Sequence, residues 1–365
     1  MCRFLYERMQ MISLVGFKGS IAVVVACTIF LTIFTYNRLN LTDVYIAIVH
    51  NLGQPKNEKS GKPVNESTTI SLPRVVIPTS VNQRVTFRCK TAHLLNIKFP
   101  VCIYHVKIDN LISRVIQQGR YYERPAIIGC LKLLLSDMRL QFVDIGANIG
   151  LWSLPAARIS HVISVEPNWN SISRLAKSVE LGAVSSNITL IHNAVSNVRM
   201  TVRMGVFKTN QGIAFLRYTD NCQGTRLAAG SPCRTLPPTK TIILNDLLPL
   251  MRSKRALMKV DAEGHEINIF TNSTAGEFFH TIDVPVVFME WVLCKRYSAD
   301  IVHRLLNFFY SRNYSAFDGH NSKLTSHYML WPVDVIFKKY HTCTFRKPEN
   351  THIMILLYFI LFCVA

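Results

Sequence analysis

Two acid-bearing stretches of this 365-residue chain have the residue types and spacing to do chemistry. In the first, the apolar run Phe142-Val143-Asp144-Ile145 leads into Gly146-Ala147-Asn148-Ile149-Gly150 and then Leu151-Trp152-Ser153-Leu154, which reads as strand, tight turn and helix start. Glycines let backbone approach a ligand closely, because they carry no Cβ and tolerate positive φ. An acid at the strand's end can accept from an ammonium or hydroxyl group. The spacing is D-x-G-x-x-x-G, so the dinucleotide fingerprint G-x-G-x-x-G is absent. About twenty residues on, His161-Val162-Ile163-Ser164-Val165-Glu166-Pro167 reads as a second strand ending in an acid, placed to accept both ribose hydroxyls of a nucleoside. A glycine turn alone fits a purely structural αβ junction equally well; Glu166 shifts the reading to a nucleoside site.

The second stretch, Asp261-Ala262-Glu263-Gly264-His265-Glu266, packs three carboxylates and a histidine into six residues. Such density at a strand end is costly to bury unless the groups are paired or used. The bland reading is that Asp261 caps the next helix while Glu263 and Glu266 face solvent. The functional one is that Asp261, Glu263 and His265 position an acceptor hydroxyl and help remove its proton. Glu290, in Met289-Glu290-Trp291, is a further carboxylate at an adjoining strand's end. Trp291 has a sugar-stacking reading and a core reading, and the core one is the default.

Asp144-Ile145-Gly146-Ala147-Asn148-Ile149-Gly150, Glu166-Pro167, Asn193-Ala194-Val195 and Lys259-Val260-Asp261-Ala262-Glu263-Gly264-His265-Glu266 occur in this order and together resemble the FkbM-type methyltransferases. The resemblance runs over about residues 101–340 and is carried by the ordered set rather than by any one motif. It implies a Rossmann-like class I fold, S-adenosyl-L-methionine as cofactor, and transfer to hydroxyl oxygens. On that resemblance Asp144 and the turn through Gly146, Asn148 and Gly150 hold the methionine part. Glu166 takes the ribose, and Asn193 and Ala194 border the adenine.

The elements that must position these residues alternate. Strands are expected over 142–145, 162–165, 188–191, 257–260 and 284–289, with helices over 151–158, 171–181 and 301–310 and Asn170 as an N-cap. An antiparallel pair, 201–206 and 213–218, interrupts the series, and late antiparallel strands are expected over 327–337. Alternating β and α elements imply an α/β fold, a mainly parallel sheet with helices on both faces. Asp144, Glu166, Asn193, Asp261 and Glu290 each fall at or just after a strand's end, where open α/β sheets bind ligands.

Outside that domain, residues 19–36 are an almost uninterrupted apolar run, spanning roughly 27 Å as a helix. Arg3, Arg8 and Lys18 precede it, so the N-terminus (1–18) is expected in the cytosol and the rest in the secretory lumen, in the Golgi given so short a span. The run is long for a signal-peptide core and no A-x-A site follows closely, which favours an uncleaved signal anchor, a transmembrane helix. Residues 37–85 include a Pro-, Gly-, Ser-, Asn- and Lys-rich stretch and read as a solvated stem before a methyltransferase domain over 86–345. Residues 346–365 end in an apolar run too short to span a bilayer, whose role the pattern leaves open.

Sequons at Asn65, Asn187, Asn272 and Asn313 agree with lumenal exposure; Asn40 falls close to the run. Cys89 with Cys102 and Cys222 with Cys233 are the expected disulfides, leaving Cys130, Cys294 and Cys343 as buried thiols. No Cys/His cluster has zinc spacing, so no metal is expected. The net charge of +19 invites a nucleic-acid partner, but a lumenal domain argues against one. Two classes remain: a lumenal O-methyltransferase acting on a hydroxyl acceptor, with glycans the natural one, and a non-catalytic lumenal protein that binds glycan or lipid on the same fold. The intact acids and glycines favour the enzyme.

Overall fold

The computed structural model describes residues 73–76, 86–207, 210–217, 233–271 and 273–340. The expected anchor (19–36), the C-terminal tail, the Cys222–Cys233 pairing, Cys343 and the sequons at Asn40, Asn65 and Asn272 lie outside the residues so described. Among the described residues no helix is long and apolar enough to cross a membrane.

The stem boundary needs correction. Residues expected to be stem form a strand, β1 (Val75–Val76), which pairs antiparallel with the sheet edge through Val75↔Ile191 and Val76↔Leu190. A hairpin follows, β2 (Arg88–Leu94) and β3 (Ile97–Ile103), and Cys89 and Cys102 are register partners joined by a disulfide. Helices α1 (Ile112–Gln117) and α2 (Arg124–Ser136) lead into β4 (Leu140–Ile145). Cys130 and Cys294 are buried and free, as expected of thiols without a partner.

From β4 the chain alternates as the pattern implies: α3 (Ser153–Ala156), β5 (Val162–Val165), α4 (Trp169–Leu181) and β6 (Ile188–Ile191). The first helix is one turn, shorter than the expected 151–158. The cap of α4 is Asn168, whose side chain accepts from the Asn170 N–H, so Asn170 receives the cap rather than supplying it. Next come β7 (Ala194–Val195), the pair β8 (Thr201–Phe207) and β9 (Asn210–Arg217), and β10 (Cys233–Ile242), which join in a separate sheet of order β7-β10-β8-β9.

The main sheet resumes with β11 (Arg255–Val260), α5 (Glu266–Phe270), α6 (Ser273–Thr281), β12 (Val286–Glu290), α7 (Ala299–Tyr310), β13 (Tyr314–Phe317) and β14 (Asp334–Lys339). Its order is β1-β6-β5-β4-β11-β12-β14-β13, parallel from β6 through β12. The late antiparallel strands are β13 and β14; 327–333 holds a short 3-10 turn instead, Tyr328–Leu330, which ends at Trp331.

Side chains on β4 alternate between two apolar layers. Val143 and Ile145 join Val165, Met258 and Val260 on one face, while Phe142 joins Val162, Leu257 and Phe288 on the other. Trp291 is wholly buried against Trp331, with its Nε1 donating to the Tyr328 carbonyl, so it is core and offers no face to a sugar.

Candidate active site

The sheet runs outward in one direction through β4, β5 and β6 and in the other through β11 and β12, so the chain reverses between β4 and β11. Beyond the carboxyl ends of those two strands a crevice must open. What closes its floor is the turn after β4. Gly146 has φ +79°, and a Cβ there would stand 1.7 Å from the Asp261 carbonyl oxygen, so only glycine fits. Asn148 also takes a left-handed conformation, φ 51°. Gly150 has φ +91°, strained for any residue with a Cβ, and that Cβ would also crowd the Leu175 side chain of α4 at 2.3 Å. Gly150 therefore seats the turn on the helix and does not line the crevice.

The crevice opens to solvent, and its walls bound about 560 Å³ of empty space, part of which is that solvent. Gly146, Asn148, Glu166, Asn193, Ala194, Asp261, Glu263 and His265 line it, and Met204, Gly212 and Ala214 close one wall from the separate sheet. Glu166 is almost fully buried, and its two oxygens accept from the Asn148 and Asn168 backbone N–H groups at 2.8 and 2.7 Å. Burial pushes its carboxyl up to about 7 against those hydrogen bonds. Each oxygen keeps acceptor capacity, which suits a ribose diol. Asn193 lines the cavity, but its amide is committed, accepting from the Arg74 N–H and donating to the Lys240 carbonyl.

Asp144 departs from its expected role. It is fully buried and lines neither this cavity nor its neighbour. Its Oδ2 accepts from Ser153 at 2.5 Å, and its Oδ1 lies 3.9 Å from Lys259 Nζ. Asp144 thus acts through Lys259, whose ammonium also meets Asp261 Oδ2 and the Gly146 carbonyl, each at 3.1 Å. Burial opposes the charge on Lys259, but Asp261, Asp144 and Glu123 outweigh it and hold the ammonium protonated. Sequence reasoning gave Lys259 no role, although a lysine inside the buried strand Arg-Ala-Leu-Met-Lys-Val was a visible signal.

A second cavity, also open to solvent and with about 690 Å³ of empty space in all, shares Asn148, Asp261 and Glu263 with the first. Glu123, Glu290 and Asp334 also line it, with Tyr122, Trp152 and Lys259. Glu123 and Asp334 carried no sequence signal. Asp261, Glu263 and Glu290 each place a carboxylate oxygen within 4.8 Å of the others. Burial, with the charges of Asp261 and Glu263 next, pushes Glu290 up to about 11, so it is protonated at neutral pH. Burial and the neighbouring Asp261 and Glu266 likewise raise Glu263 well above the carboxylate range. Glu263 adopts φ 51°, a left-handed conformation costly for a residue with a Cβ.

His265 lines the crevice at Glu166, yet it is not placed as a base. Its Nδ1 meets the Asn268 amide and its Nε2 the Ser196 hydroxyl, both at 2.9 Å, so the amide donates to Nδ1 and Nε2–H donates to Ser196. Burial lowers it to about 4, leaving a neutral ring that braces the loop.

Residues 144–316, just under half of the chain, match the sequence family described as the methyltransferase FkbM domain. No curated protein sequence matches this one. Among solved structures, the chain is similar to the T. thermophilus 16S rRNA N2 G1207 methyltransferase in complex with AdoMet and guanosine: 12% identity and TM-score 0.34, over 71% of this chain and 52% of that one. It is similar to a methyltransferase FkbM from Methylobacillus flagellatus KT at 13% identity and TM-score 0.32, over 54% of this chain and 43% of the other. For a SAM-dependent methyltransferase from Agrobacterium tumefaciens the values are 11% and 0.32, over 62% and 59%. This chain spans about half the length of the first of these, and at such values the likenesses say nothing of its substrate. A buried glutamate at the crevice and a glycine turn that admits no Cβ both fall in residues 144–316, which match the methyltransferase FkbM domain, with S-adenosylmethionine as the cofactor.

Proposed function

We propose that this domain methylates a hydroxyl oxygen of a glycan acceptor from the lumenal side of a secretory membrane, held by the N-terminal apolar run. One observation carries the reading of the site: the crevice at Glu166 and the acid-lined cavity meet at Asn148, Asp261 and Glu263. A group in one cavity therefore lies next to a group in the other, with carboxylates at the junction. The Cys89–Cys102 disulfide supports an oxidising compartment, and the sequons at Asn187 and Asn313 are both exposed.

S-adenosylmethionine supplies a methyl group on a sulfonium, already joined to a good leaving group. The chain's own work is placement. Glu166 would bind the ribose and the backbone after Gly146 would border the methionine part. Asp261, the carboxylate at the junction ion-paired with Lys259, is placed to accept the acceptor's hydroxyl proton. Glu290, protonated, can donate a hydrogen bond to an acceptor oxygen.

The test is methyl transfer from labelled cofactor to neutral and acidic glycans, with cofactor affinity measured in parallel. Asp261→Asn should lower turnover by about a hundred- to ten-thousand-fold and change cofactor affinity far less. Full activity in that variant removes Asp261 from the reaction. Tight cofactor binding with no transfer to any hydroxyl acceptor favours the non-catalytic alternative. Protease protection in sealed microsomes checks the topology, and digestion of the domain from the cytosolic side contradicts it.

A further inference from the structure

Resting on the reading of the crevice as the S-adenosylmethionine site, we propose that Arg74 is a positioning residue for that site, its main-chain N–H holding the Asn193 side chain in the crevice wall. Arg74 lies ahead of the matched residues 144–316, in the stretch that sequence alone assigned to a solvated stem. The main sheet would end at β6 but for β1, which pairs with Ile191 and Leu190. Arg74, just before β1, carries that contact past the carboxyl end of β6. Its carbonyl accepts from the His192 N–H at 2.9 Å, and its N–H donates to Asn193 Oδ1 at 2.7 Å.

Asn193 is 2% exposed and lines the crevice, and its Nδ2 donates to the Lys240 carbonyl of β10. One amide therefore ties the crevice wall to the segment before β1 on one side and to the separate sheet on the other. That sheet supplies Met204, Gly212 and Ala214 to the crevice. Among the described residues the Arg74 N–H is the one donor to Asn193 Oδ1. Losing it would leave a buried acceptor unpaired, and a freed amide would turn to find another partner. The Arg74 side chain reaches the crevice by a second route. Its guanidinium stands 5.5 Å from the Trp169 ring, Trp169 packs edge-on with His192, and His192 Nε2 donates to the Pro167 carbonyl at 3.1 Å. Pro167 lines the crevice next to Glu166. Main chain and side chain of Arg74 thus bear on two crevice residues, Asn193 and Pro167. A ligand that binds best with Asn193 so held must, by linkage, hold the Arg74 segment more firmly in return.

The experiment uses the full chain and two readouts, S-adenosylmethionine affinity by calorimetry and amide hydrogen exchange with and without that cofactor. Cofactor should slow exchange at Arg74 at least about fivefold, the low end of coupling between sites. Exchange in β13, at the other edge of the sheet, should slow less, which separates the local effect from general stabilisation. Arg74→Pro removes the N–H at a sheet edge, where proline is tolerated, and should weaken the cofactor at least about fivefold. Arg74→Ala keeps the N–H and loses only the ring contact, so it should weaken binding less. In the Asn193→Ala background, adding Arg74→Pro should weaken binding no further, because the N–H has lost its target. Unchanged affinity in a folded Arg74→Pro chain overturns the proposal. So does an equal loss in Arg74→Ala, or losses in Arg74→Pro and Asn193→Ala that simply add. If Arg74→Pro fails to fold, exchange in the wild type decides, and protection at Arg74 no greater than in β13 overturns the proposal. A wild type that binds no S-adenosylmethionine overturns the reading of the crevice, and this proposal with it; a wild type that binds it while Arg74→Pro binds equally well sinks the positioning role alone.

Discussion

Replacing Lys259 with methionine tests the electrostatic floor of the site. Lys259 is 6% exposed and Asp144 is fully buried, so the variant leaves Asp144 in an apolar layer with the hydroxyl and backbone N–H of Ser153 as its donors. Breaking a buried pair from one side costs about 3–5 kcal/mol, which for a domain of this size lowers the melting temperature by roughly 6–20 °C. Combining Lys259→Met with Asp144→Asn removes the stranded charge and should restore at least half of the loss. Asp144 already has its folded pKa raised by burial, and losing Lys259 raises it further. Its contribution is then fully present below the unfolded value, about 4, and is lost as pH rises through the folded one. The single variant's deficit should therefore shrink in acid. Chemical and thermal unfolding of wild type, both single variants and the double variant give the cycle. A cost below about 1 kcal/mol for Lys259→Met, or a double variant no more stable than it, refutes the reasoning.

The ligand-free, metal-free protein should lose stability as pH rises from about 6.5 to 9. Burial raises Glu123, Glu166 and Glu266 to about 7 and Glu290 to about 11, so the folded state binds more protons there than the unfolded one. Between about 4.5 and 6.5 the buried neutral His161 and His265, both lowered to about 4, offset part of that loss without reversing it, because four carboxyls outnumber two imidazoles; a melting temperature that rises steadily to pH 9 contradicts it. Gly146→Ala should destabilise by at least about 2 kcal/mol in chemical unfolding, because the methyl overlaps the Asp261 carbonyl and φ is positive; a variant as stable as wild type removes the close approach. His265→Gln should leave the shape of the activity profile between pH 6 and 8 unchanged, since the ring does not titrate there; loss of a limb near 6.5 would restore His265 as a base.

How much of this was legible in the sequence depends on the range of each signal. Strands such as Val162–Val165 and Ile188–Ile191 are short β-branched runs bounded by turns, and their limits are found where the pattern puts them. The glycine turn and Glu166 were readable because each follows a strand's end. The hairpin of β2 and β3 was not, because its strands mix exposed and buried positions without a clean alternation. Asp144 was misjudged for a structural reason: the two-residue period puts it on the face opposite Ile145, which lines the cavity, and its carboxylate meets Ser153 instead. His265 reads as a base by type, and only its two side-chain partners reveal a brace. Glu123 reaches the acceptor cavity through the packing of the segment before α2 against Trp152, which no local pattern encodes.

The most direct test of the central claim is calorimetric titration of the purified protein with S-adenosylmethionine, beside the Glu166→Ala variant. The account predicts one site per chain, competition by S-adenosylhomocysteine, and an affinity roughly 5- to 150-fold weaker in the variant, the loss of a charged acceptor to buried donors. Absence of binding by the wild type, or equal binding by a folded Glu166→Ala protein, contradicts it.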